Sequence, residues 1–157
     1  MLRMAALLVL ACAALAACDG GDDDGDGDGS RPLSRSEFVR EADAICKRVG
    51  RTPFRVAQPP PEAARAADRR RREVARSYRR LRGLTPPAEL KGAFDAYLAQ
   101  TRKIIGLLGD AWRAARFSNA PAFDQALRGV QRAGMARDRF GKRIGFKVCG
   151  KPVSARK

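Results

Sequence analysis

Histidine is absent from this chain of 157 residues. With it go the usual acid/base of neutral pH, the commonest zinc ligand and most nucleophilic triads. Aromatic residues make up only 6%, including one Trp and two Tyr, so there is no series of rings on which nucleic-acid bases could stack. No apolar run reaches the roughly 20 residues that a permanent bilayer span requires. The stretch from Ile104 to Leu108 is broken at once by Gly109 and Asp110. A strand-like alternation of apolar and polar residues is missing, as is any internal repeat. The Gly-Asp repeats near the N-terminus lack the following lysine and the strand-to-helix setting of a phosphate-binding loop. Carboxylates that could serve as a glycosidase pair (Glu37, Glu41, Glu73, Glu89) all fall on faces expected to be solvated. The expectation from these absences is a non-enzymatic protein with no cofactor and no resident metal.

Acids are the minority charge, 17 against 32 Lys and Arg, and they are unevenly placed. Asp19, Asp22, Asp23, Asp24, Asp26 and Asp28 lie in one short run among glycines. Setting aside those six and Arg3 leaves 31 basic against 11 acidic residues in the remainder. A surface with that excess attracts polyanions, which bears on association and solubility and not on fold. The acidic run has nothing apolar to bury and reads as a self-repelling spacer with a reach on the order of 20 Å. Asp24, Asp26, Asp28 and Gly29 match the opening of an EF-hand loop, but the twelfth position, which needs a bidentate acid, is Arg35. Starting from Asp22 puts Leu33 there instead.

The first residues carry a single charge, Arg3, followed by the apolar run Ala5 to Ala17 and small residues before Cys18. A short basic start, an apolar middle and a small-residue cut site describe a secretory signal. Leu15-Ala16-Ala17-Cys18 resembles the lipobox of bacterial lipoproteins. Val9-Leu10-Ala11-Cys12 is a rival that would leave a very short apolar region. The lipobox resemblance implies cleavage before Cys18, acylation of its thiol, and anchoring at the extracytoplasmic face of the cell membrane. The chain then divides into a signal peptide (1–17), a lipidated cysteine with an acidic Asp/Gly linker (18–33) and a domain (34–157).

That domain reads as all-α, a small antiparallel bundle of about four helices. Ser34 and Glu37 form a capping-box pattern that starts helix one, with Phe38, Ala42, Ile45 and Val49 on one face and Cys46 at its edge. Pro53 and Pro59-Pro60-Pro61 make a stiff connector. Helix two is expected over 62–82, with Ala67, Val74, Tyr78 and Leu81 inward. Arg71 intrudes on that stripe and must snorkel or meet an acid. Helix three follows Pro86 and Pro87, and Leu90, Phe94, Tyr97, Thr101, Ile104, Leu108, Trp112 and Ala115 hold heptad-like spacing. Helix four is expected from Pro121 to Ile144, with Phe123, Leu127, Val130 and Gly134 inward and Gly129, Gly134 and Gly141 weakening it. With Cys12 lost in the signal and Cys18 acylated, Cys46 and Cys149 remain to pair in an oxidising compartment. Two thiolates without histidine make a poor zinc site.

The layout is similar to the small helical envelope lipoproteins of GC-rich Gram-positive bacteria. In these an element such as Ala42-Asp43-Ala44-Ile45-Cys46 is matched by a lone late cysteine. The resemblance implies an address and an architecture but brings no activity. One feature of helix two could carry function. Spacings of four, three, four and three place Arg65, Arg69, Arg72, Arg76 and Arg79 in one row roughly 20 Å long. The competing explanation is a solvated face on an arginine-biased sequence. Two partner classes follow: an envelope protein docked through an apolar patch, or anionic lipid headgroups or wall polymers met by the arginine row. Export removes nucleic acid from reach.

Overall fold

The computed structural model describes residues 33–48 and 60–149. The signal segment, Cys18, the aspartate run, Val49 and Pro53 lie outside the described residues. Among the described residues there are four α-helices and no strand: α1 Arg35–Lys47, α2 Pro60–Arg82, α3 Lys91–Arg116 and α4 Ala120–Ile144. A single 3-10 turn, Ala88–Leu90, leads into α3. None of these helices is long and apolar enough to cross a membrane.

The helix ends follow local chemistry. Ser34 caps α1 with both halves of the box formed, and the Ser34 amide donates to Glu37 Oε2 at 2.9 Å. Such a cap is worth about 1 kcal/mol. α2 begins at Pro60, two residues before the expected Glu62. Proline suits a first turn, where its missing N–H has no partner to lose, so two of the three prolines start the helix and do not belong to the connector. Asn119 caps α4 by accepting from the Ala122 amide at 3.1 Å. Gly145 closes that helix with φ 101°, a left-handed conformation that glycine adopts without a Cβ clash.

α2, α3 and α4 run antiparallel in sequence, with α3 between the other two. Ala63 and Ala64 at the start of α2 pack with Ala115 at the end of α3, and Phe123 at the start of α4 lies against them. Leu81 at the other end of α2 meets Phe94 and Tyr97 near the start of α3 and Ile144 at the end of α4. The short α1 adds Phe38, Ala42 and Cys46 to that second cluster only. Phe38 meets Phe94 edge-on with ring centres 4.9 Å apart, and Tyr97 meets Phe146 likewise at 5.4 Å.

The expected α3 stripe is buried along its whole length except at Trp112, which is half-buried. The inward face of α4 differs from expectation. Its buried residues are Ala126, Gly129, Ala133, Gly141 and Ile144, while Phe123, Leu127, Val130 and Gly134 flank them half-buried. Small residues hold the centre because α3 approaches closely there: a Cβ added at Gly129 would lie 2.9 Å from Leu107 Cδ2. In α1, Ile45 is half-buried and Cys46 fully buried, since the segment after α4 folds over the Cys46 side of the helix. In α2, Tyr78 is half-buried, and Ala63, Ala64, Ala66 and Ser77 join the inner face.

Candidate anion-binding face

Arg65, Arg69, Arg72, Arg76 and Arg79 all emerge exposed on one side of α2. The helical period aligns them. The opposite face, rich in alanine and packed on α3, fixes which way they point. Among the described residues only Arg72 of the five reaches a carboxylate, Asp68 Oδ2 at 2.9 Å. Arg71 resolves its intrusion by turning to the same acid, with Nη2 2.8 Å and Nε 3.2 Å from Asp68 Oδ1. Its stem lies over Gly109 of α3. The other arginines of α2 are not equivalent to the row. Arg70 is largely buried and pairs with Glu73 at 3.3 Å. Burial lowers its pKa, the hydrogen bond and charge of Glu73 oppose that, and Arg137 of α4 adds repulsion.

At the start of α2 the row borders an open groove of about 620 Å³. Arg65, Arg69 and Arg72 line it from α2, and Trp112, Ala115 and Arg116 from the last turns of α3. The Arg116 guanidinium stacks over the Trp112 ring, 5.3 Å from its centroid. Among the described residues Asp68 is the one acid lining the groove. Ser118, also at its edge, has φ 51°, a left-handed conformation that costs a non-glycine residue on the order of 1 kcal/mol. The turn repays this with two backbone bonds, from the Ser118 amide to Ala115 O and from the Asn119 amide to Ala114 O.

A second built feature lies at the opposite end of the bundle. The disulfide Cys46–Cys149 is formed, with Cα atoms 5.3 Å apart. Beside it the Asp43 carboxylate, 7% exposed, accepts the amides of Lys147, Val148 and Cys149 at 2.8, 2.9 and 2.9 Å. It holds the chain after α4 against α1. Its role is structural: all three donors are backbone groups of one turn.

The arginine row and the disulfide pair are legible in the sequence; the roles of Arg116 and Asp43, and Trp112 as a groove wall, are not. The spacing of Trp112 and Arg116, one helical turn apart, is a readable signal for their stacking. That Arg116 faces Arg65 and Arg69 depends on how α3 docks on α2, which spacing within one helix does not carry. Asp43 stands beside Ala42 and three residues before Cys46, so an acid on the edge of an apolar face was the clue. No group of three or more His, Cys, Asp or Glu side chains that could hold a metal occurs among the described residues. The chain matches no protein-family model, no curated protein and no solved structure.

Proposed function

We propose that the chain is an extracytoplasmic module tethered through a lipid on Cys18, which binds without catalysis. Its α2 arginine row lies on the anionic headgroups of the membrane that anchors it. The observation that supports this is the row itself: five exposed guanidiniums on one helix face, four of them with no carboxylate in reach among the described residues. The alternative, docking of an envelope protein through an apolar patch, calls for clustered exposed apolar side chains. Among the described residues the large exposed hydrophobics are Phe117, in the turn after α3, and Met135, in the second half of α4. About fifteen helical residues of α4, roughly 22 Å, lie between that turn and Met135. Each basic residue close to an anionic leaflet contributes about 1 kcal/mol, falling off within a Debye length.

The test uses the oxidised chain from Asp19 to Lys157, which keeps every described residue and lacks the lipid. It is mixed with phosphatidylglycerol-containing and purely zwitterionic vesicles at low and near-physiological salt. Binding should be confined to anionic vesicles and fall with salt. Replacing Arg65, Arg69, Arg72, Arg76 and Arg79 with Gln should weaken it by at least about a hundredfold. Equal binding by wild type and the Gln variant would reduce the row to solvated charge and turn attention to a protein partner.

A further inference from the structure

We propose that the groove between the start of α2 and the end of α3 is a discrete site for one phosphate ester group. The inference deepens the reading of the row as an anion-binding surface and rests on it. Along most of its length the row meets a ligand from one side only. At the groove the geometry changes, because Arg65 and Arg69 of α2 are joined by Arg116 from α3 across a shared cavity. Among the described residues the only acid there, Asp68, is already held by Arg71 and Arg72. Arg113, the other arginine in the last turn of α3, is engaged by Asp110. Arg65, Arg69 and Arg116 therefore reach no carboxylate among the described residues and face the groove as unneutralised cations.

The chemistry of that donor set selects the ligand. A guanidinium presents a rigid fork of N–H donors suited to two oxygens at once. A carboxylate keeps all of its acceptor sites in one plane, which forks arriving from two different helices meet less fully. A phosphate ester carries further oxygens out of that plane and can engage forks arriving from two helices. Low-dielectric walls strengthen the field inside a cleft, and here Trp112 and the alanines of both helices form such walls. Stacking of Arg116 on Trp112 restrains that guanidinium beforehand, so less side-chain freedom is lost when a ligand arrives. A volume of about 620 Å³ accommodates the phosphate together with the polyol it esterifies.

Trp112 is the only tryptophan in the chain, so tryptophan emission comes from the groove wall alone. The Asp19–Lys157 chain would be titrated at constant ionic strength with glycerol phosphate and, separately, with acetate and chloride. The expected result is a saturable change in Trp112 emission with glycerol phosphate, at a midpoint at least about tenfold below any response to acetate. Arg116→Gln should raise that midpoint by about tenfold or more, whereas Arg132→Gln with Arg139→Gln, two exposed cations of α4 outside both the row and the groove, should change it by less than about twofold. Because Arg116 touches the indole, the variant is judged on its midpoint, confirmed by calorimetry, with thermal melting as the check on its fold. Vesicles of phosphatidylglycerol form the second arm. Weakened vesicle binding by Arg116→Gln assigns the phosphate to a lipid headgroup; unchanged vesicle binding assigns it to a soluble ester. A non-saturable response, or equal weakening by the groove variant and the remote pair, overturns the discrete site. If vesicle binding by the wild type persists in that case, the row reading stands and only the groove falls; if it is absent too, both fall.

Discussion

At one end of the bundle four aromatic side chains, Phe38, Phe94, Tyr97 and Phe146, fill the space between α1, α3 and the segment after α4, and a disulfide ties that segment to α1. At the other end α2 and α3 meet through methyl groups, Ala63, Ala64 and Ala67 against Ala111 and Ala115, with Trp112 and Phe123 half-buried at the margin. The two ends use the same antiparallel arrangement for different purposes. Each aromatic ring buries on the order of 150–250 Å², so the first end concentrates apolar burial and cross-linking. The alanine end buries less per residue. It keeps α2 close enough to α3 for Arg65 and Arg116 to line one groove. Stability is gathered where the chain is tied, and the groove opens where α2 and α3 meet through small side chains.

The largest expected effect separates the ends directly. The disulfide closes a loop with a sequence separation of 103. In the chain-entropy model such a link contributes about 4–5 kcal/mol. Cys46→Ser with Cys149→Ser should lower unfolding free energy in urea by nearly that amount. Hydrogen exchange should quicken throughout α1, whose packing is confined to this end, and much less in the middle of α3. A loss below about 1 kcal/mol would mean that the aromatic cluster alone holds the end and that the covalent tie adds little.

A smaller effect tests the polar part of the same end. Asp43→Asn removes the charge that three backbone amides converge on, and turns one oxygen into a donor facing donors. The expected cost is about 2–3 kcal/mol. Asp95→Asn, which breaks only the exposed pair with Lys91 on the outer face of α3, should cost less than about 0.5 kcal/mol. Urea denaturation of the two variants checks the contrast. Equal costs would show that the Asp43 clamp is no more than another surface contact.

How far the sequence carried these features follows from how local each one is. The Ser34 and Glu37 box, the α3 stripe and the arginine row are set by spacing within single helices, and spacing is what a sequence displays. The disulfide emerged by elimination among four cysteines. On α4 size marks Phe123, Leu127 and Val130, which pack half-buried against the core, but not Ala126, Gly129 and Ala133 at its centre, where the interface selects smallness. Asp43 and the groove were missed for a different reason. Each depends on segments far apart in sequence, α1 with the turn after α4, and the start of α2 with the end of α3. No pattern within one helix encodes their meeting.

The finest test asks whether small residues are required in the seam between α3 and α4 or are merely tolerated. Two glycines of α4 separate the possibilities. At Gly134 an added Cβ meets nothing within 4 Å. Gly134→Ala should therefore gain the ordinary helix-interior advantage of about 0.5–1 kcal/mol. At Gly129 the same methyl would lie 2.9 Å from Leu107 Cδ2 and 3.2 Å from its Cδ1. Leu107 must turn aside, and repacking of that kind costs about 1 kcal/mol or more, offsetting the helical gain. Gly129→Ala should then come out neutral or destabilising in a paired thermal-melting comparison with Gly134→Ala. If both variants gain equally, Leu107 yields freely, and the close approach of α3 to α4 owes nothing to the missing side chain at 129.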